Sequence, residues 1–520
     1  MKWQASGSKN GYDYEALEHY LSAENFVHAL RLLEKMIPLL PNYEWTALHR
    51  WLNRISNSEL LKKPTFFLMN ITSLYSSGHI HDATNQYWWA VDKLESNPGL
   101  SQNEKRQFEA GLNFLVAFRS FLEKDFESFI EYAKKYLEQD PEGGFLPDFD
   151  IEHDGYHPIW DIYLSSESES LYEAEDTLQT LLDMWSKTKN KLFFAHLCLD
   201  YGRLLYERNR LKEAEQHAYK AWLIGKEYDI PSLMVRASLV MAEVAVIDNR
   251  EKKADYLVNQ LLIKVDQRKV PRLAKEIELF QMRYFLKCGK LKIVTNWAEK
   301  HGFSLSDEIS PAMIDEYDLF ARILAMQGKE TEAIHLNDRS LALAEKGSKR
   351  RNVIRCIMLK SLLLTKQNQM LECFQTLEDA LSMAIPNGYF RIFLDEGAPL
   401  EQLLRQYVKA RRNHYIKRSE RVNLDDVKQI LEAMMRIRLS ETPSEDFQKT
   451  AKGSELLLTR QEKNVLHLMN KGLTNKEMAG ELGISLSTVK THINHLYRKL
   501  GVGNRMLAIK KAQELDLLSD

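Results

Sequence analysis

The sequence predicts an all-α protein, in which a superhelix of helical repeats precedes a small helical domain at the C-terminus. Proline and glycine, which interrupt helices, number only 13 and 22 among 520 residues, and no proline follows Pro443. Small residues return about every 40 residues in the middle of the chain, and near the C-terminus two helix-start signals lie close together. These observations favour helices throughout and two kinds of helical domain.

The composition is that of a globular protein. Apolar residues make up 44% of the chain, which excludes a mainly disordered protein, and the formal net charge is −2. The N-terminus lacks the apolar core of a signal peptide, and no apolar run reaches 18 residues, so we expect a cytoplasmic location and no membrane span. The cysteines are far apart without a C-x-x-C pair, so we expect reduced core thiols. They are Cys198, Cys288, Cys356 and Cys373.

The middle of the chain repeats a helix–turn–helix unit. One position is always small or apolar, and a residue that tolerates a left-handed backbone lies five residues before each of the last five of these positions. The recurring positions are Ala174, Ala214, Ala254, Val294, Ala333 and Cys373. The turn residues are Asn209, Asn249, Gly289, Gly328 and Asn368. Each turn residue predicts the end of one helix and the start of the next.

Apolar pairs indicate the buried face of the helix before each turn. They are Leu204-Leu205, Val244-Ala245, Tyr284-Phe285, Ile323-Leu324 and Leu363-Leu364. A helical hairpin of this size cannot bury its apolar face alone, so neighbouring units must stack into a curved superhelix. The pattern resembles a tetratricopeptide (TPR) superhelix.

The same repeat pattern continues upstream with irregular spacing, around Ala29, Ala83 and Phe126. A Pro/Gly-rich stretch and a later polar stretch predict two linkers. The expected domains are a helical arm over 12–139, a linker over 140–160, the superhelix over 161–400, a helical extension over 401–438, a linker over 439–454, and the C-terminal domain over 455–520.

The C-terminal domain carries the clearest local signals. Thr459 with Glu462, and Thr474 with Glu477, form S/T-x-x-E capping boxes at two helix starts. Gly483 stands where a left-handed C-cap ends the second helix, and Ser485 with Ser487 then opens a third helix. In that third helix one face is apolar, which predicts that it packs inward. Its members are Val489, Ile493, Leu496 and Leu500.

The opposite face of the third helix has the side chains of a DNA-reading helix. Lys490, Thr491 and Asn494 are predicted to contact base edges, because such helices read the major groove near their N-termini. Hydroxyls, helix-start amides and flanking cations suit the phosphate backbone. The residues predicted for that role are Thr474, Asn475, Lys476, Ser487, Thr488, His492, Arg498 and Lys499. Residues 455–520 hold ten Lys or Arg against seven Asp or Glu, a net +3 that supports DNA binding modestly.

The C-terminal segment resembles the LuxR-type (FixJ, NarL and GerE-like) helix-turn-helix domain. About twenty positions match in register, among them Asn475-Lys476-Glu477, Ile484-Ser485, Thr488-Val489-Lys490 and Lys499-Leu500-Gly501-Val502. Gln461 and the mid-helix Gly480 depart from the family pattern. The resemblance implies that residues 475–494 form the helix-turn-helix, that a fourth helix over 504–516 is a dimerisation surface, and that a homodimer binds double-stranded DNA.

A second resemblance, to the large LuxR-family regulators of the maltose-activator type, covers most of residues 12–435. It is carried above all by the run from Gly388 to Leu400. Such regulators also have an N-terminal nucleotide-switch ATPase, but no G-x-x-x-x-G-K-[ST] motif occurs in this sequence, so ATP-driven assembly is not expected. The resemblance implies that the superhelix senses an inducer, which is a small molecule, a peptide or a protein.

The leading hypothesis is therefore a sequence-specific transcriptional regulator whose repeat domain senses a signal. The alternative is a TPR-type scaffold that tethers another regulator to DNA. No set of residues has the spacing of a catalytic site, a cofactor motif or a metal cluster, so we expect no enzyme, cofactor or metal. His492 and His495 lie close together on one helix, but they lack a third ligand nearby that a metal site would need. Trp185, Trp222 and Trp297 fit packing better than a ligand cavity. A basic run over 411–418 is either a solvated helix end or a DNA contact.

Overall fold

A computed structural model of the chain describes a protein of helices joined by short turns. It describes residues 11–36, 45–61, 63–76, 78–96, 101–123, 125–142, 170–268, 271–347, 349–416, 421–441, 460–486, 488–490, 492–493, 496, 505, 508–509 and 512. All regular elements within these residues are helical. The chain forms two compact units, Met1–Ile437 and Arg438–Asp520. None of the described helices is long and apolar enough to cross a membrane.

The N-terminal arm has eight helices, and all but the last share one apolar core. They are α1 (Gly11–Ser22), α2 (Phe26–Met36), α3 (Trp45–Leu52), α4 (Asn57–Leu60), α5 (Pro64–Ser76), α6 (Ile80–Ser96), α7 (Gln102–Leu122) and α8 (Phe126–Gln139). The last helix buries Phe126, Phe129 and Ala133 in the core of the repeat region. Ala29 and Ala83, which marked the diverged repeats, are fully buried in the shared core of the arm. Trp51 is also buried there, and its indole N–H donates to Glu18 at 2.9 Å.

The repeat region begins with α9 (Leu171–Trp185), which Ser170 and Glu173 start with a capping box. Ten helices follow, which alternate along the chain between an inner and an outer layer of the array. Each layer has five helices. The inner helices are α10 (Lys191–Glu207), α12 (Pro231–Ile247), α14 (Pro271–Lys287), α16 (Ile314–Met326) and α18 (Arg350–Lys366). The outer helices are α11 (Leu211–Glu227), α13 (Glu251–Arg268), α15 (Leu291–His301), α17 (Glu330–Lys346) and α19 (Met370–Ala384). A short 3-10 turn, Pro311–Met313, precedes α16.

The structure confirms the predicted repeat pattern, both in its small buried positions and in its turn residues. All six recurring positions are at most 4% exposed, because a small side chain lets the two helices of a hairpin approach closely. All five turn residues have positive φ, between 56° and 77°. After each, the next N–H donates to a carbonyl five residues earlier, as Arg210 does to Leu205 at 2.8 Å, which closes the last turn of the preceding helix.

Three sequence expectations differ from the structure. The pair Tyr284-Phe285 is only half-buried, whereas the equivalent pairs in the other repeats are buried. Cys288 is exposed rather than a core thiol, while burial raises the pKa of each of the other three thiols to about 12. Within the basic run, Arg411 is buried and donates to the Tyr407 hydroxyl at 2.7 Å, so that residue is part of the core.

Three further helices follow the last repeat: α20 (Arg391–Leu394), α21 (Ala398–Arg412) and α22 (Leu424–Glu441). The segment from Asn387 to Glu396, here called the closing segment, contacts the first helices of the repeat region. Its Asn387 carbonyl accepts from Leu171 N–H at 2.9 Å, and its Phe390 N–H donates to the Glu207 carbonyl at 3.1 Å. The first and last repeats therefore touch, and the array closes into a ring.

The C-terminal unit contains α23 (Arg460–Asn470), α24 (Asn475–Leu482) and described parts of two later helices. Its core consists of apolar residues that are at most 7% exposed. They are Val465, Leu466, Met469, Met478, Val489, Ile493, Leu496, Ala508 and Ala512. Leu500, the last residue of the predicted inward stripe, and Thr459, of the first capping box, lie outside the described residues. So do 143–160 and 442–454, which make up most of the two predicted linkers.

Candidate DNA-binding surface and repeat interior

Helix α24 is fixed at both ends by the residues that the sequence indicated. Thr474 N–H donates to the Glu477 carboxylate at 2.7 Å, and Glu477 N–H donates to the Thr474 hydroxyl at 3.4 Å. The hydrogen bond from the Thr474 backbone lowers the pKa of Glu477. At the other end Gly483 has φ 63°, and Ile484 N–H donates to the Ala479 carbonyl. These bonds set the tight turn that leads into the third helix.

The third helix starts on Ser485. The hydroxyl of Ser485 accepts from Thr488 N–H at 3.1 Å and lies 2.7 Å from the Thr488 hydroxyl. The sequence named Ser485 and Ser487 together as the start, and Ser485 is the residue seen to cap. Two hydroxyls therefore stand at a helix N-terminus, an arrangement suited to a phosphate group.

The side chains of the third helix are sorted by face. Val489, Ile493 and Leu496 are buried, whereas Lys490 is exposed, so the packing of one face aims the other outward. Among the predicted phosphate contacts, Thr474, Lys476 and Thr488 are exposed, and Asn475 and His492 are half-buried. Five of the predicted DNA contacts lie outside the described residues: Thr491, Asn494, Ser487, Arg498 and Lys499.

Arg505 has a positioning role that sequence reasoning missed. Its guanidinium donates to the carbonyl of Met469 at 2.8 Å, one of the last carbonyls of α23. A cation at a helix C-terminus is favourable, and the bond links α23 to the fourth helical segment. Its place in the LuxR-type pattern was the available signal, but the pattern does not state what the residue contacts.

The inner helices of the repeat region carry a ring of ion pairs. Each consecutive pair of inner helices is joined by an arginine and a carboxylate, and the last helix is joined back to the first. The links are Arg203–Glu243, Arg236–Glu276 at 2.9 Å, Arg283–Asp315 at 2.8 Å, Arg355–Asp315 at 2.7 Å with Arg355–Asp318 at 2.6 Å, and Arg351–Glu207 at 2.7 Å. The ring encloses the concave side of the superhelix.

The electrostatics of the ring are dominated by its arginines. Burial alone would raise the pKa of Asp315, but the guanidinium groups of Arg283, Arg355 and Arg351 outweigh it and hold that pKa well below its usual range. Arg351 lies on α18 and still influences Arg283 on α14 and Arg203 on α10. The guanidinium groups of well-separated repeats therefore converge within the ring.

The closing segment adds two carboxylates to this interior. Asp395 accepts from Arg391 at 2.7 Å and from the Tyr206 hydroxyl at 3.0 Å, and Glu396 is held by both terminal nitrogens of Arg322 at 2.7 and 2.8 Å. Burial opposes ionisation of Asp395, but Lys287 and Arg391 lower its pKa. Charge as well as apolar packing holds the array closed.

A sequence signal for the ring was present and went unused. Arg203 and Glu243, like Arg236 and Glu276, are 40 residues apart, the length of one repeat. Two residues at that offset occupy the same position in adjacent repeats, so opposite charges there predict a ladder of ion pairs. The link from Arg351 to Glu207 spans 144 residues and follows from the curvature of the array, which local spacing does not encode.

Comparison with known protein families now adds to this geometry. Residues 159–410 match the model of the MalT-like TPR region, and residues 456–512 match that of the bacterial regulatory proteins of the LuxR family. The chain thus contains a MalT-like TPR region followed by a regulatory domain of the LuxR family. The expected fold class, helical repeats followed by a LuxR-type helix-turn-helix domain, is thereby confirmed.

The regulators to which the chain is similar are longer than it is. The HTH-type transcriptional regulator MalT of Yersinia enterocolitica is 25% identical over 391 residues, which cover 70% of this chain and 41% of that protein. MalT of Serratia proteamaculans is 30% identical over 226 residues, which cover 39% of this chain and 24% of that protein. The chain thus spans less than half the length of these relatives.

Among solved structures, this chain aligns with a Rap protein complexed with competence and sporulation factor. The alignment has 12% sequence identity, covers 73% of this chain and 98% of that chain, and has a TM-score of 0.40.

Proposed function

We propose that this protein is a transcriptional regulator whose C-terminal unit reads double-stranded DNA. The observation that carries the proposal is the capped α24, whose C-terminal turn leads into a helix that buries Val489 and Ile493 and exposes Lys490. In this proposal Lys490, Thr491 and Asn494 contact base edges. The hydroxyls and cations around both helix starts hold the phosphates and fix the register.

The repeat ring is the sensing part of the proposal. It is concave, polar inside and closed by contacts between its first and last repeats, so a ligand that alters those contacts changes the shape of the whole array. The regulator binds DNA as a homodimer through its fourth helix, acts in the cytoplasm and catalyses no reaction. The MalT relatives, named as transcriptional regulators, support this assignment.

The decisive experiment begins by mapping the genomic sites that the full chain binds. Affinity for one mapped site is then measured by fluorescence anisotropy for wild type, Lys490→Ala and Lys471→Ala. Lys471 is an exposed cation of the same unit with no predicted DNA contact, and therefore serves as the matched control. A base-reading lysine contributes about 1–3 kcal/mol, so Lys490→Ala should weaken binding about 5- to 150-fold, whereas Lys471→Ala should change it little.

Equal affinities of the two variants would contradict the base-reading role of Lys490. The alternative function, a scaffold that tethers another regulator, has the repeat ring in its favour, because helical arrays present extended binding surfaces. A tether would bind unrelated DNA and the mapped site with equal affinity, and it would lose nearly all of that affinity at physiological salt.

A further inference from the structure

Helix α14 presents two cations to the inside of the ring. Arg283 and Lys287 lie four residues apart, which places them one above the other on the same face. Arg283 reaches Asp315 of α16, and Lys287 reaches Asp395 of the closing segment, so both side chains point inward. Like charges at this spacing repel each other, and the repulsion is relieved by an anion that contacts both.

The neighbouring carboxylates are already engaged by other groups. One oxygen of Asp315 accepts from both Arg283 at 2.8 Å and Arg355 at 2.7 Å. Asp395 is held by Arg391 and Tyr206, and it comes no closer than 3.5 Å to Lys287. Among the described residues, no group accepts a hydrogen bond from Nε of Arg283. Each of these carboxylates is thus shared between a cation of α14 and at least one other donor.

This part of the ring is open to solvent. Arg283 keeps 32% of its side-chain surface accessible, Lys287 53% and Asp315 44%, although inner helices surround them. Burial lowers the pKa of Arg283; the nearby guanidinium groups of Arg355 and Arg351 also lower it, whereas Asp315 and Asp318 raise it. A small anion that reaches this face of α14 meets two accessible cations together with the carboxylates that pair with them.

We propose that Arg283 and Lys287 form an oxyanion site inside the ring, which takes the phosphate or carboxylate group of a small ligand. The planar guanidinium matches an oxyanion through paired N–H groups, and the flexible lysine adds a point charge four residues further along α14. The inference rests on the sensing role proposed above and specifies its ligand class: the signal carries at least one oxyanion group, and Arg283 and Lys287 anchor it.

The test is calorimetric titration of the full chain with inorganic phosphate, and separately with malonate, at an ionic strength held constant with sodium chloride. We expect saturable binding of at least one anion, and the stronger of the two distinguishes a phosphate from a carboxylate ligand. Arg283→Gln and Lys287→Gln should each raise the Kd about tenfold or more, because each removes a charge-assisted contact. Lys428→Gln is the control, since Lys428 is a partly exposed lysine of α22 paired with Asp425.

If Arg283→Gln unfolds the ring, Lys287→Gln still tests the proposal, because the Lys287 side chain is half exposed and its loss should not unfold the chain. Circular dichroism can verify that the Lys287→Gln variant is folded. The proposal is overturned if neither anion binds saturably, or if a folded Lys287→Gln variant binds phosphate and malonate as Lys428→Gln does. The two proposals fail separately. If the chain binds anions but no specific DNA site, only the regulator assignment is refuted. If the chain binds its DNA site but no anion, only the oxyanion site is refuted.

Discussion

The link between Arg351 and Glu207 joins the last inner helix to the first, and its removal should open the ring. Glu207 is 1% exposed at its side chain and Arg351 is 22% exposed. Arg351→Met keeps the length and helix propensity of the side chain but leaves the Glu207 carboxylate buried without its 2.7 Å partner. Breaking a buried pair in this way costs about 3–5 kcal/mol. We expect about 3 kcal/mol, because Arg351 is partly exposed and Arg203 also lies near Glu207.

The assay combines urea unfolding with amide hydrogen exchange on the full chain. Loss of the link should lower the free energy of unfolding and speed exchange at Leu171 and Phe390, whose N–H groups bond across the closure. Arg421→Met is the matched control, since Arg421 pairs with Asp379 at the surface with 60% of its side chain exposed, and should cost less than about 1 kcal/mol.

A second variant separates charge from packing in the same link. When Glu207→Gln is combined with Arg351→Met, no buried charge remains unpaired, and most of the lost stability should return. The reasoning is refuted if Arg351→Met is as stable as Arg421→Met, or if exchange at Leu171 and Phe390 is unchanged. It is also refuted if the double variant is no more stable than Arg351→Met alone.

Two further predictions concern backbone and acid stability. Gly480 is exposed within α24, and a Cβ there would meet no atom within 4 Å, so Gly480→Ala should stabilise the C-terminal unit by about 0.5–1 kcal/mol. Gly483 has φ 63°, so Gly483→Ala should destabilise the same unit. Amide exchange in α24 should be slower in Gly480→Ala and faster in Gly483→Ala. The pKa values of Asp315 and Asp395 are depressed in the folded ring, so their stabilisation is present above the unfolded-state pKa, about 4, and is lost as the pH falls below it. Urea unfolding at a series of pH values should show this acid loss, and Asp315→Asn should reduce its slope; an unchanged slope would contradict the role of Asp315.

The repeat hairpins could be predicted from sequence because their constraints are local. A residue such as Asn209 must adopt positive φ to end one helix, and Ala214 must be small for the next helix to pack close, so both restrict the residue type at a fixed spacing. The capping box of Thr474 and Glu477 is local in the same sense. Patterns of this kind can be recognised without knowledge of the tertiary structure.

The ring was not predictable in the same way. Whether Arg351 meets Glu207 depends on the angle between successive repeats, summed over the whole array, and small packing differences decide that angle. Similarly, Tyr284 and Phe285 fit the apolar pair pattern but are half-buried, because the burial of a repeat position depends on what its neighbours place against it. The role of Arg505 also depends on a partner far along the chain.

The most direct test of the regulator assignment is the selectivity of the full chain for a mapped genomic site over unrelated DNA of equal length, measured at physiological salt. The account predicts that the mapped site binds at least about a thousandfold more tightly, as expected when base edges are read by a helix in the major groove. Equal affinity for the two DNAs would contradict it, and would indicate that the C-terminal unit holds only the phosphate backbone.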